Sequence, residues 1–203
     1  MTTPTLSLII PTAGRFSLRR TLESAAPQLL PGDEMLVIGD VRMGALPEMA
    51  AICADFPQCR YVPFTDGVMS WGHRQTNHGM TIATGDYLSF NDDDDVYTGD
   101  ALALMRAAAT DFPGRPLLFR FRSYLGGLEF WLRAGLVQQA CIGGHCAVVP
   151  RDHRYLGRWG DHYEGDFQFI KESLDNWADA GIDPVWCPQI IAVQRPRAEE
   201  IAA

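Results

Sequence analysis

Short apolar runs alternate with longer segments of helical periodicity along the first half of the chain. Residues 6–11 are apolar and end at a proline, and residues 35–38 form a second run of the same kind. Between them, Leu18, Leu22 and Ala25 repeat at the spacing of one helix face. A strand, a helix and a strand within about 40 residues form a βαβ unit, which predicts a parallel sheet with right-handed crossovers.

The same alternation continues to the middle of the chain. We expect a helix over residues 71–83, closed by Gly85, and then the strand Tyr87–Phe90. That strand runs directly into Asn91 and then into four aspartates, residues 92–95, which we call the acidic run. A helix capped by Thr98 follows. The acidic run is therefore expected at the carboxyl end of a strand, where open α/β sheets bind their ligands.

Shorter elements characterise the second half. Residues 117–121 and 146–150 resemble strands, residues 166–178 have helical periodicity, and a terminal strand is expected over residues 190–193. No repeat, low-complexity linker or clean boundary divides the chain, so we expect a single domain over residues 1–203.

Composition and charge narrow the class of protein. With 47% hydrophobic and 21% charged residues, the chain is globular rather than disordered, collagen-like or coiled-coil. Its 17 basic and 25 acidic residues give a net charge of −8, which disfavours nucleic acid and anionic membranes as partners. No run approaches the roughly 18 to 20 apolar residues that cross a bilayer, so we expect a cytoplasmic protein without stable membrane insertion. The five cysteines form no C-x-x-C pair, so neither a disulfide framework nor a zinc site is indicated.

Four consecutive aspartates, Asp92, Asp93, Asp94 and Asp95, are the sharpest chemical feature. Because adjacent carboxylates repel one another, a cation is their natural partner. Hard oxygen ligands suit Mn²⁺ or Mg²⁺. The alternative is a solvated acidic turn, which the position directly after a buried strand disfavours.

Three segments, taken in order, resemble one family of enzymes. They are residues 6–12, residues 35–40 and residues 77–95, which end in the run ATGDYLSFNDDDD. This order resembles the family 2 glycosyltransferases of GT-A fold. The resemblance implies an α/β protein with a Rossmann-like, mostly parallel central sheet flanked by helices and a smaller acceptor-side region in the C-terminal half. It also implies a nucleotide-sugar-binding half, residues 1–110, and an acceptor-binding and catalytic-base half, residues 111–203.

Candidate donor contacts follow from the resemblance. Pro11, Thr12, Ala13 and Asp40 would flank the nucleotide base, and Asp40 would accept a hydrogen bond from a pyrimidine ring nitrogen. The family often has two adjacent aspartates at this place, and here the first of them is Gly39.

On the helix that faces the donor, the resemblance concerns an Ala-Arg-Asn-x-Gly pattern. Asn77 matches the asparagine, whereas Thr76 holds the arginine position. Arg74 or His73 would supply the missing contact to the donor. A plain surface role on the helix is the alternative for Arg74 and His73.

Within the acidic run, the resemblance implies separate roles. Asp92 would lie near the ribose or sugar, and Asp93 and Asp95 would cap, orient water or bind the sugar of the donor. Asp94 would be the direct metal ligand, together with Asp92, and the metal would be Mn²⁺ or Mg²⁺.

The family's catalytic base is an acidic residue at the start of a helix, usually in a Glu-Asp pair. Asp166 is the best match, but Gly165 breaks the pair. Glu164 as the base, or Asp166 as a mere helix N-cap, are the alternatives.

Other side chains have possible roles at such a site. His145, after two glycines, could contact the donor sugar, and Arg195 and Arg197 could fold over the diphosphate. Four aromatic residues could stack on a sugar or pack in the core: Trp71, Trp131, Trp159 and Tyr163.

Together these features predict an enzyme, a metal-dependent inverting glycosyltransferase that moves a sugar from a nucleoside-diphosphate sugar, with UDP-sugar favoured, to an acceptor hydroxyl by single displacement. One alternative is a nucleotide-sugar-binding module or degenerate transferase without turnover. Another is a sugar-phosphate nucleotidyltransferase, for which residues 11–15 make a poor triphosphate loop. The acceptor could be a saccharide, a protein, a natural product or a modified nucleobase.

Overall fold

The computed structural model describes residues 3–41, 46–66, 71–124, 128–131 and 133–196. The helices in these ranges are α1 (Leu18–Ala25), α2 (Leu46–Ala54), α3 (His73–Ile82), α4 (Ala101–Asp111) and α5 (Gly165–Asp179). The strands are β1 (Leu6–Thr12), β2 (Glu34–Asp40), β3 (Cys59–Phe64), β4 (Tyr87–Phe90), β5 (Val96–Tyr97), β6 (Leu117–Arg122), β7 (Glu129–Phe130), β8 (Ala147–Pro150) and β9 (Val185–Val193).

These strands belong to one sheet, and the carboxyl ends of its central parallel strands lie at the same edge. The order is β3-β2-β1-β4-β8-β6-β9-β5, and β7 pairs with β6. Strands β1 to β4 are parallel, β8 is antiparallel to both β4 and β6, and β9 is parallel to β6. The carboxyl ends of β1, β2, β4, β6 and β9 therefore meet the amino end of β8. The expected α/β fold with a mostly parallel central sheet is confirmed.

The core consists of two apolar layers, one on each face of the sheet. Leu8 and Ile10 of β1 join the layer under α1, α2 and α4, whereas Ile9 joins the layer under α3 and α5. Because both faces are covered, the central strands are continuous apolar runs rather than alternating ones. Among the described helices, none combines the length and apolar character that a membrane span requires.

Gly85 does not cap α3, contrary to the expectation. The helix ends at Ile82, and Ala83 is its C-cap residue. A Cβ atom at Gly85 would lie 2.7 Å from backbone atoms of Leu6 and Ser7. Glycine is therefore needed for the close approach of this segment to β1.

Two other predicted boundaries are also wrong. The cap position of α4 is Asp100 rather than Thr98, whose hydroxyl instead donates to the carbonyl of Ile190 at 3.0 Å. Strand β9 begins at Val185, not at Ile190, and its pairing with β6 contains register shifts. Pro188 interrupts the apolar pattern there, which is why the first part of β9 was missed.

Candidate active site

The acidic run lies directly after β4, and its second aspartate, Asp93, forms hydrogen bonds to the loop that follows β1. Oδ2 of buried Asp93 accepts hydrogen bonds from Thr12 Oγ1 at 2.6 Å and from the Ala13 amide at 3.1 Å, and Oδ1 accepts one from Arg15 at 2.8 Å. Burial raises the pKa of Asp93 despite these contacts. The predicted donor loop, from Pro11 to Ala13, is thus held against the acidic run, and both Asp93 oxygens are bonded within the protein.

Asp94 is held between two guanidinium groups. Its Oδ2 lies 3.2 Å from Arg15 Nη1 and 3.1 Å from Arg195 Nε. The Asp94 side chain is 17% exposed, and the two arginine side chains are about half exposed. Arg195 also lies over the ring of Tyr124, with 4.8 Å between the guanidinium carbon and the ring centroid. Both guanidinium groups therefore border the solvent in front of the acidic run.

Asp95 forms a buried pair with His145. Its Oδ2 lies 2.6 Å from His145 Nε2, and its Oδ1 accepts a hydrogen bond from the Arg195 amide at 2.8 Å. Although burial opposes the charged ring, the hydrogen bond and charge of Asp95 raise the pKa of His145 to about 9. Desolvation of its carboxyl group by the surrounding protein outweighs the nearby charge of His145 and raises the pKa of Asp92 to about 7, although the residue as a whole is partly exposed.

Asp92, Asp95 and His145 form a group that could hold a metal ion. Each offers one ligand atom, and these atoms lie within 4.8 Å of one another. Carboxylate oxygens with a neutral imidazole suit Mn²⁺, so His145 would have to release its proton to bind the ion, and the carboxylates alone suit Mg²⁺. The sequence predicted Asp92 and Asp94 as ligands, whereas the group that the structure forms contains Asp92, Asp95 and His145 and does not include Asp94.

Among the described residues, four cationic side chains lie against the acidic run. Arg15, Arg195 and His145 pair with its carboxylates, and Arg20 Nη2 donates to the Asp94 carbonyl at 3.1 Å. These side chains neutralise much of the negative charge. Repulsion among the carboxylates therefore does not by itself require a bound metal ion. An ion bound by Asp94 would have to compete with two guanidinium groups.

Asp166, the predicted base, lies in the first turn of α5 and faces the turn that precedes β8. Its Oδ2 accepts a hydrogen bond from the Gly144 amide at 3.2 Å, and its Oδ1 accepts one from the Phe167 amide at 2.7 Å. A Cβ atom at Gly144 would lie 2.4 Å from the ring of Trp159, so only glycine fits. The next residue, His145, binds Asp95, and this turn therefore brings Asp166 to the acidic run.

Glu164, the alternative base, lies elsewhere. Its Oε1 accepts a hydrogen bond from Gln139 Nε2 at 2.9 Å. Its side chain is 41% exposed and lines a surface groove with Gln168 and Lys171 on the outer face of α5. The geometry therefore favours Asp166 over Glu164.

The two side chains that the sequence placed at the donor on α3 contact the segment leading to α5. Asn77 Nδ2 donates to the Trp159 carbonyl at 2.8 Å, and Asn77 Oδ1 accepts from the Trp159 amide at 3.1 Å. Arg74 donates from Nε and Nη2 to Asp161 Oδ2 at 2.8 and 2.6 Å. Asn77 thus fixes the backbone at Trp159, and Arg74 holds the side chain of Asp161, a few residues before Asp166.

Comparison with known proteins adds the decisive observation. The family model described as glycosyl transferase family 2 matches residues 7–159. The chain belongs to glycosyl transferase family 2. The match includes β1, α3 and the acidic run but ends before Asp166. The expected family is confirmed. No curated protein matches the chain in sequence.

Solved structures of S. aureus TarS share the fold of this family 2 domain. The crystal structure of TarS 1-349 has a TM-score of 0.73 at 14% identity, and the match covers 94% of this chain and 60% of that one. TarS 1-349 in complex with UDP-GlcNAc has a TM-score of 0.72 at 14% identity, and the match covers 98% of this chain and 61% of that one. The complex with UDP has a TM-score of 0.72 at 15% identity, and the match covers 97% of this chain and 62% of that one. This likeness confirms the GT-A fold. The present chain spans about three fifths of the length of these TarS structures.

Two of the three departures from the family 2 pattern, Gly39 and Gly165, have a steric explanation. A Cβ atom at Gly39 would lie 2.2 Å from the hydroxyl oxygen of Tyr61, which fills the place of the family's first aspartate. A Cβ atom at Gly165 would lie 2.4 Å from His73 Nδ1. The imidazole of His73 therefore occupies the space that an acidic side chain at position 165 would need.

The sequence does not predict the contacts that two residues of the site, His73 and Arg15, make in the structure. His73 Nδ1 donates to the carbonyl of Gly160 at 2.7 Å, so it braces the segment before Asp166. Arg15 was given no role beside the acidic run, although its position in the first loop after β1 was the available signal. Arg197, the other predicted diphosphate contact, lies outside the described residues.

Proposed function

We propose that this domain is a metal-dependent, inverting glycosyltransferase that transfers a sugar from a nucleoside-diphosphate sugar to an acceptor hydroxyl. The observation that carries the proposal is the turn before β8: Gly144 binds Asp166, and His145 binds Asp95. A carboxylate suited to accept a proton thus lies beside a cluster suited to bind a diphosphate. Family membership supports the reaction class, and the TarS complexes with UDP and UDP-GlcNAc support a uridine donor.

In the proposed reaction, Asp166 accepts the proton of the acceptor hydroxyl as its oxygen attacks the anomeric carbon. The attack comes from the face opposite the diphosphate. The new carbon–oxygen bond forms while the bond between the anomeric carbon and the diphosphate oxygen breaks, and the electron pair leaves with the diphosphate. A single displacement of this kind inverts the anomeric centre.

The donor side of the proposal draws on both halves of the chain. Pro11, Thr12, Ala13 and Asp40 lie at the carboxyl ends of neighbouring strands β1 and β2, where the nucleotide base is proposed to bind. Arg15 and Arg195 border the acidic run and would bind the diphosphate.

The metal in this proposal is Mn²⁺ or Mg²⁺. Asp92 and Asp94 would hold it, and ligand atoms of Asp95 and His145 lie within 4.8 Å of one in Asp92. Bound there, the ion supplies charge neutralisation on the departing diphosphate. The boundary between donor and acceptor halves at residue 110 and the cytoplasmic location stay predictions.

Isothermal titration calorimetry with UDP, GDP, dTDP and CDP, each with and without Mn²⁺, tests the donor site. We expect UDP to bind about tenfold more tightly with Mn²⁺ than without it, and Asp94→Asn to abolish that difference. The control is Asp175→Asn, because Asp175 is 62% exposed on α5 and pairs only with Lys171 in the described structure. If none of the diphosphates binds, the proposal is wrong. If Asp94→Asn keeps the full Mn²⁺ effect, the assignment of Asp94 is wrong.

A second candidate function is nucleotide-sugar binding without turnover. The observation that favours it is that backbone amides already donate to both Asp166 oxygens, so either oxygen would have to share its lone pairs to accept the proton of an acceptor hydroxyl. Release of UDP from UDP-GlcNAc, with water as the acceptor, separates the two functions. A transferase loses this slow release in Asp166→Asn, whereas a binding module shows the same background with and without the substitution.

A further inference from the structure

Two aromatic side chains stand exposed next to each other beside the candidate active site. Trp71 is 60% exposed and Tyr163 is 73% exposed. Their ring centroids are 6.1 Å apart, and the ring planes meet at 77°. Large aromatic residues normally bury most of their surface, so an exposed adjacent pair indicates a binding surface. The other two aromatic candidates from the sequence, Trp131 and Trp159, are buried in the core.

The pair lies between the first strand and the predicted base. Trp71 precedes Gly72, where a Cβ atom would lie 2.8 Å from the Cβ atom of Pro11 at the end of β1. Tyr163 lies three residues before Asp166, in the short loop that the Gly165 amide closes by donating to the His162 carbonyl at 3.0 Å. The pair therefore borders the cleft on the side where an acceptor must approach Asp166.

The backbone holds Trp71 in an unfavourable conformation. Its φ is 51°, in the left-handed region that bulky residues rarely adopt. Strain of this kind persists where the surrounding structure imposes it, and it is common at ligand-binding sites. Here it directs a large ring outwards rather than into the neighbouring aromatic core.

We propose that Trp71 and Tyr163 form an acceptor subsite that packs against a sugar ring, so that the acceptor is a saccharide. This inference rests on the proposed function and names the acceptor class for the same site. Two rings at nearly right angles form a corner with two apolar walls. A pyranose has C–H groups on one face and along one edge, and it fits such a corner. Asp161, two residues before Tyr163, is 40% exposed and pairs with Arg74, so this ion pair offers polar groups to the sugar hydroxyls.

The position of Tyr163 and the shape of the corner favour a sugar over a nucleobase as the occupant. The proposed base pocket lies at Asp40 and the loop after β1, whereas Tyr163 belongs to the loop that leads to Asp166. A planar base needs one ring face for stacking, and the corner offers a face and an edge.

The test uses an array of immobilised oligosaccharides, probed with the labelled full chain in the presence of UDP and Mn²⁺. We expect the wild type to retain a set of glycans, and Trp71→Ala and Tyr163→Ala each to reduce that signal about tenfold. Tyr163→Phe keeps the ring and should retain the signal. Phe112→Ala is the matched control, because Phe112 is an exposed aromatic residue at the end of α4.

Calorimetry with UDP on the same variants separates the possible failures. The proposal requires UDP affinity within about twofold of wild type in Trp71→Ala, since a base stacked on Trp71 would make it fall. A parallel loss of UDP and glycan binding would therefore assign the pair to the nucleobase and overturn the proposal. So would a wild type that binds UDP but retains no glycan, or glycan binding that survives both alanine variants. A wild type that fails to bind UDP refutes the proposed function itself.

Discussion

The two arginines on Asp94 lead to a counterintuitive prediction about metal affinity. In the nucleotide-free protein, the Arg195 guanidinium competes with any cation for Asp94 Oδ2. Arg195→Gln should therefore raise the affinity for Mn²⁺, although the same arginine is proposed to help bind the diphosphate. The reason is electrostatic, because the substitution removes a positive charge next to a metal ligand.

The magnitude follows from the geometry. Arg195 Nε lies 3.1 Å from Asp94 Oδ2, and a metal–oxygen bond adds about 2.1 Å, so the guanidinium would lie roughly 5 Å from the ion. In water, a unit charge and a doubly charged ion repel by about 1.7 kcal/mol at that distance. The Arg195 side chain is 55% exposed, so the value for water applies, and screening at physiological salt reduces it to about 1 kcal/mol. The expected gain in Mn²⁺ affinity is roughly fivefold.

Titration with Mn²⁺ without nucleotide, followed by the electron paramagnetic resonance signal of the free ion, measures this affinity directly. Arg195→Lys keeps the charge and should stay within about twofold of wild type. Arg154→Gln is the control, because Arg154 is 75% exposed and pairs with Asp152 instead of the acidic run. Unchanged or weaker Mn²⁺ binding in Arg195→Gln would refute the reasoning and would mean that Arg195 does not compete for the proposed ligand.

Three further predictions concern stability, each measured by urea denaturation. Gly165→Ala places a Cβ atom 2.4 Å from His73 Nδ1 and 2.2 Å from a backbone carbonyl oxygen, and should lower the free energy of unfolding by about 2 kcal/mol. Gly99→Ala is the control and should leave the free energy of unfolding unchanged, because nothing lies within 4 Å of its Cβ position. Equal losses in the two variants would contradict the steric explanation. Asp33→Asn removes the partner of the buried Arg106 guanidinium and should cost about 3 to 5 kcal/mol, a loss below 1 kcal/mol being the contrary result. Burial lowers the pKa of His73 below 6.5, so the unfolded chain binds more protons and stability is lost as pH falls through about 6.5. His73→Gln should therefore lose less stability than wild type between about pH 7 and pH 5.5, and an equal loss would contradict this. The charged groups that act on the His73 ring are Asp166, Asp161 and His162.

The first half of the fold could be predicted because its signals are local. Leu8 to Ile10 are buried on both faces, so β1 is a continuous apolar run that a reader of the sequence can recognise. The strand before the acidic run is equally clear, and its position predicts a site at the carboxyl edge. Strand β9 was partly missed because Pro188 interrupts its pattern, and its pairing with β6 depends on tertiary structure.

The partners within the site could not be predicted because they are distant in sequence. Arg15 and Asp93 are 78 residues apart, and His145 and Asp95 are 50 apart. Arg195 and Asp94 are 101 apart. Nothing local relates such residues, so the sequence showed four carboxylates without their counter-charges.

The reversed strand β8 explains how the base and the acidic run come together. In a purely parallel sheet, the strand between β4 and β6 would present its carboxyl end at this edge. Because β8 is antiparallel to both neighbours, its amino end lies there, with Gly144 and His145 directly before it. The Gly144 amide contacts Asp166 at 3.2 Å, and His145 contacts Asp95 at 2.6 Å. The separation between the proposed base and the proposed diphosphate site is therefore set by two adjacent residues at the start of one strand.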